Sequence, residues 1–257
     1  MRIALLVPSR ERIDKKLELI NSIKNTVADI NNITLYFGID TDDPTRDAVL
    51  QIAKENTFIK IVDIESVGHF QNLGILWNIC AKAANEEILS MIGDDMIFLS
   101  KNWDLEIINE FSPEVCPKDN LKMVFCNDCR HGNKCAVNCF IHRSYYEING
   151  YFAREEFPIN GIDIWLHQIY NSFGRLYYRN DILIEHKHWS FRKSRKDTVA
   201  NRMGANNAGN ISNDLWIKLL PERILEAERI SRKTGLMFYK NFINESRVMM
   251  TNLRDIV

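Results

Sequence analysis

Two adjacent aspartates, Asp94 and Asp95, interrupt an otherwise apolar stretch, ILSMIGDDMIF over 88–98. Neighbouring carboxylates repel and are costly to desolvate unless something positive meets them. A solvated turn meets that demand with water, and a divalent cation meets it with charge. Further along, ILIEHKHW sets His186 and His188 two residues apart after a strand-like run, so both project to one face. Asp163 opens a helical pattern, where the helix dipole favours a carboxylate. Cys126, Cys129, Cys135 and Cys139, with His131 among them, crowd CNDCRHGNKCAVNC. That array suits either structural zinc or free and buried thiols, and thiols are the expected state. HKHWSFRKSRKDTVANR carries six Lys/Arg against one Asp. Arg192, Lys193, Arg195 and Lys196 in it suit a solvated loop, a flap over a diphosphate or a grip on a polyanionic acceptor.

Strands and helices alternate in the segments that must position these groups. RIALLVPS reads as a buried strand, and Ile13, Leu17, Ile20 and Val27 then recur at helical spacing. ITLYFGID (33–40) and FIKIVDI (58–64) are further strands, separated by a helix over about 45–55, and Leu73, Leu76, Trp77, Cys80 and Ala84 mark another helix before 88–98. Such order predicts an α/β fold with a mainly parallel sheet flanked by helices. Ligands of such sheets lie beyond the carboxyl ends of the strands. Pro8, Ser9 and Arg10, then Asp40, Asp42 and Asp43, then Asp94 and Asp95 stand at three of those ends. Oxygen ligands of this kind select a hard cation, Mg²⁺ or Mn²⁺.

The chain has 257 residues, 46% hydrophobic and 26% charged, with a formal charge of −1, so attraction to a polyanion must come from local clusters. Six cysteines without a secretory leader predict a reducing, cytoplasmic setting, and no apolar run reaches the length of a membrane span. Neither G-x-G-x-x-G nor a P-loop signature is present, so a carboxylate-held cation is the expected partner of a nucleoside diphosphate.

VPSR after the first strand, GID after the second, GHFQNLGILWNICAKAANEEILSMIGDD, FIHRSYYEINGYF and GIDIWL come in an order that resembles the GT-A-fold nucleotide-sugar glycosyltransferases, the family 2-like group in particular, over about residues 2–190. The resemblance implies that Pro8, Ser9, Arg10 and Asp40 contact the donor's base and ribose, with Asp94 towards ribose and Asp95 on the metal. Gly93 takes the place of the first aspartate of the fuller motif. The resemblance also implies that one histidine, His188 before His186, completes the metal shell, and that Asp163 is the general base of an inverting transfer, Ile162 standing where the family has glutamate. A glycosyltransferase moving a hexose or pentose from a UDP-sugar to a glycan, protein or hydroxylated nucleic-acid base is the function so implied. A zinc-binding module and a nucleotidyltransferase are the rivals of another class. The expected organisation is a catalytic domain over 1–190, its donor half up to about 100 and acceptor half beyond, a basic flexible loop over 191–210, and a C-terminal helical segment over 211–257 with Ile224, Leu225, Ala227, Ile230 and Met237 as its apolar face.

Overall fold

The computed structural model describes residues 1–67, 71–187, 198–205 and 207–240. Ile3 to Val7 are wholly buried and form the body of β1 (Ile3–Pro8). This strand pairs in parallel with β2 (Ile33–Asp40) and with β4 (Ile88–Met91), and β2 pairs in parallel with β3 (Ile59–Ile64). The connecting helices α1 (Ile13–Thr26), α2 (Arg46–Glu55) and α3 (Leu73–Ala83) cover both faces, which is why these strands read as unbroken apolar runs. Period-two alternation sends Ala4 and Leu6 to one core with Trp77, and Ile3, Leu5 and Val7 to another with Leu19 and Ile20.

The stretch 88–98, expected as one strand, is two. After Met91 the chain leaves the parallel ladder, turns through Gly93, Asp94 and Asp95, and resumes as β5 (Met96–Phe98), which pairs antiparallel with β8 (Leu176–His186) at the other edge. With β6 (Met123–Asn127) and β7 (Cys139–His142), the order is β3-β2-β1-β4-β7-β6-β8-β5. The second half of the sheet is mixed, since β7 runs antiparallel to both neighbours while β6 and β8 are parallel. Helices α4 (Trp103–Glu110), α5 (Ser144–Asn149) and α6 (Ile162–Ser172) complete the sheet layers.

Several expectations from apolar spacing need correction. Leu17 is 39% exposed, and α1 faces the core with Leu19, Ile20, Ile23 and the stem of Lys16. Part of 191–210, expected as a loop, is helical: α7 (Thr198–Ala205) is followed by α8 (Ala208–Lys218), with Asn207 left-handed between them. The helix α9 (Leu220–Thr234) carries Pro221 in its first turn and buries Arg223, Glu226, Ala227 and Ile230, while Leu225 and Met237 are exposed. Glu226 accepts hydrogen bonds from Tyr145, Tyr151 and Trp165, the last at 3.0 Å from Nε1. The Arg223 guanidinium lies over the rings of Trp165 and Trp216 at 5.1 and 3.9 Å. Two buried charged side chains, each met by aromatic groups, therefore join Ala227 and Ile230 in fastening α9, which an apolar periodicity does not register.

The cysteines divide between the two cores. Cys126 on β6 joins the α1 side, and Cys135 and Cys139 the α6 side, while Cys129 is exposed. Burial pushes the Cys139 thiol up to about 12. Among the described residues no three His, Cys, Asp or Glu side chains gather into a metal-ligand set. No helix among the described residues is long and apolar enough to cross a membrane.

Candidate active site

The ends of β1 and β4, the start of α6, the end of β8 and the α7–α8 turn enclose a cleft of about 530 Å³. It is lined by Pro8, Arg12, Asp94, Asp95, Asp163 and His186 among polar groups and strand ends, and by Leu73, Trp77, Met91 and Ile162 on its apolar wall. The turn Ile92–Asp95 answers the question of the two carboxylates. Asp94 accepts from Ser9 Oγ at 2.6 Å and from Arg12 Nη1 at 3.0 Å. Asp95 Oδ1 lies 3.3 Å from His186 Nε2, and its Oδ2 lies 4.0 Å from Lys15 Nζ. Burial opposes ionisation of Asp95, yet the hydrogen bond and charge of His186, with Lys15 and Arg12, outweigh it and hold the carboxyl far below its ordinary range.

Gly93 has a steric reason to stand where the fuller motif carries aspartate. A Cβ there would come within 2.8 Å of Asp95 Oδ1, so any side chain would press on the carboxylate that faces His186.

Arg10 does not enter the cleft. Its guanidinium is clamped at the end of β2 by Asp40 at 2.7 Å and by Asp42, which holds it above its ordinary range, the Asp42 hydrogen bond acting most strongly. Asp43 is buried in a local role, accepting from Glu11 N at 2.7 Å and Thr45 N at 2.7 Å. Between β1 and α1, Glu11 and Arg12 adopt φ of 59° and 53°, two successive left-handed residues without glycine. Such strain persists where surrounding contacts over-determine it, and here the bond to Asp43 and the Arg12–Asp94 pair do so.

Asp163 sits in the first turn of α6, behind Gly161, whose φ of 101° suits only glycine. Its Oδ1 accepts from Ile164 N at 2.9 Å, and Cys135 Sγ lies 3.4 Å from its Oδ2. The α7–α8 turn closes the opposite side through Asn207, Ala208 and Asn210. Thr198 Oγ1 donates to Glu11 at 2.6 Å, and Asn160 N donates to Ser212 Oγ at 3.3 Å, so this strap spans both halves of the cleft.

The structure thus brings Pro8, Ser9, Asp94, Asp95, His186 and Asp163 to one cleft and puts Arg10 with Asp40 beside it. His188, Arg192, Lys193, Arg195 and Lys196 lie outside the described residues. Sequence reasoning missed Arg12 and Lys15, although cations at 12 and 15 are spaced to share a face at the start of α1. It also missed the strap, because its carboxamides read as a flexible break.

A divalent cation fits the donor set at Asp95 and His186, one buried carboxylate oxygen and one imidazole nitrogen side by side.

No protein-family model and no curated protein sequence matches the chain. In structure it is similar to S. aureus TarS 1–349 in complex with UDP, with a TM-score of 0.56 and 12% identity over 72% of this chain and 59% of that one. TarS 1–349 in complex with UDP-GlcNAc gives 0.54 and 12% over 72% and 57%. The mannosyltransferase PcManGT from Pyrobaculum calidifontis, in complex with GDP-Man and Mn²⁺, gives 0.58 and 12% over 90% and 73%. The chain spans less than two thirds of the length of the two TarS structures. At this identity the likeness speaks for fold, and the fold is the GT-A-like α/β fold of nucleotide-sugar glycosyltransferases.

Proposed function

We propose that the chain is a glycosyltransferase that moves a sugar from a UDP-sugar to an acceptor hydroxyl with inversion, in a reducing, cytoplasmic setting. The observation that carries this reading is the meeting of the Asp95–His186 pair and Asp163 in one cleft of this fold. Pro8 and Ser9 mark the side on which base and ribose lie in this reading, and Arg10 and Asp40 stand just beyond the cleft there, orienting one another by their 2.7 Å contact. Asp95 and His186 hold Mn²⁺ or Mg²⁺, which when bound supplies positive charge for the diphosphate. Arg12, paired to Asp94 within the cleft, adds a fixed cation from the protein itself.

Asp163 takes the proton of the acceptor hydroxyl as that oxygen attacks the anomeric carbon. The bond to the nucleoside diphosphate breaks, the diphosphate leaves with the electron pair, and the proton remains on Asp163. One displacement from the face opposite the leaving group inverts the anomeric centre. The α7–α8 strap and the apolar wall of Leu73, Trp77 and Ile162 keep water from competing with the acceptor.

Incubation with UDP-glucose, UDP-GlcNAc and GDP-mannose in the presence of Mn²⁺ tests this, with released nucleoside diphosphate as the readout. Release of UDP that EDTA abolishes is the expected result. Absence of release and of binding for every donor would overturn it.

A further inference from the structure

Cys135 belongs to the cysteine cluster that the proposed chemistry leaves unused, and its place is specific. It follows a short 3-10 turn over Gly132–Lys134 in the loop between β6 and β7, in extended conformation, and is 6% exposed. Its Sγ reaches across to the first turn of α6, 3.4 Å from Asp163 Oδ2. We infer that Cys135 is a positioning residue, whose S–H donates to Asp163 Oδ2 and so fixes the orientation of the carboxylate. The inference rests on the reading of Asp163 as the general base.

The chemistry of the pair supports the direction of the bond. Burial first, and then the charge and hydrogen bond of Asp163, hold the thiol well above its ordinary range, so sulfur carries its proton and acts as the donor. Oδ1 already accepts from Ile164 N, so S–H on Oδ2 gives each carboxylate oxygen one fixed donor. Behind Cys135 stands Asp128, whose charge acts in the same direction on the thiol. Across the cleft Asp163 faces Asp94, Asp95, Arg12 and His186, none of which the Cys135 substitutions below alter.

The test compares transfer with folding. With UDP-GlcNAc as probe and Mn²⁺ present, Cys135→Ala and Cys135→Val should lower kcat for UDP release about three- to tenfold while UDP affinity stays unchanged. Cys135→Ser, which keeps a donor, should stay close to the wild-type rate. Because the thiol acts through Asp163, adding Cys135→Ala to Asp163→Asn should cause no further loss. A packing role alone would lower the melting temperature and slow both backgrounds alike. Wild-type kcat in Cys135→Ala and Cys135→Val, or an equal further loss in Asp163→Asn, would overturn the inference. Wild-type release by Asp163→Asn itself would overturn the base reading instead.

Discussion

Glu226→Leu removes the hydrogen-bond acceptor that joins α9 to α5 and α6. Tyr145 and Trp165 are fully buried, so their O–H and N–H would lose their partner with no water to replace it, whereas half-buried Tyr151 can turn to solvent. A buried donor left without a partner costs about 1–3 kcal/mol, which for two gives roughly 2–6 kcal/mol. The substitution also takes one of two nearby carboxylates from the buried Arg223, whose guanidinium burial lowers to about 10 against the charges of Glu222 and Glu226. In a chain of this size each kcal/mol moves Tm by roughly 2–4 °C, so differential scanning calorimetry should show a fall of about 5–20 °C. Glu226→Gln should cost far less, because its amide oxygen still accepts. The pH dependence has a definite sign. Burial raises the Glu226 carboxyl above its usual 4.5, the tyrosine and tryptophan donors offsetting only part of this. A raised carboxyl binds more protons folded than unfolded, so the native state is penalised progressively as pH climbs from 4.5 towards the raised value, and below 4.5 the penalty vanishes. Glu226→Gln lacks that titration and should gain stability relative to the wild type progressively as pH rises above 4.5. A Glu226→Leu variant melting within a degree or two of the wild type would refute the idea that this network fastens α9.

Other consequences are as direct. Asp163→Asn keeps the helix start but cannot take a proton, and should lose about 10²–10⁴ in transfer rate while nucleotide affinity by fluorescence titration is unchanged. Gly93→Ala puts a Cβ 2.8 Å from Asp95 Oδ1, and should weaken Mn²⁺-dependent nucleotide binding with little change in Tm; full-strength binding would show that the carboxylate has room to move. Arg12→Ala removes a cation from the cleft and should weaken UDP binding most at low salt, since a charge contact fades with screening.

Much of the donor half was legible in the sequence, because strands buried on both faces declare themselves as apolar runs and β2 falls where ITLYFGID places it. The aspartates of 88–98 were legible as an anomaly, but local sequence holds nothing to say that Met96–Phe98 pairs with a strand some ninety residues on. Non-local pairing also hid the joining of His186 to Asp95 and of Cys135 to Asp163. On α1 and α9 the reading erred where apolar spacing was trusted: Leu17 and Leu225 face solvent, while Lys16, Arg223 and Glu226 are buried because each finds a partner or an aromatic face.

Isothermal titration calorimetry of UDP into the protein, with and without Mn²⁺ and repeated on Asp95→Ala, tests the account most directly. Binding that requires Mn²⁺ in the wild type and is lost in a folded Asp95→Ala variant is the predicted result. Equal UDP affinity in the wild type with Mn²⁺, with EDTA and in Asp95→Ala would contradict the claim that the Asp95–His186 pair holds the cation that receives the donor.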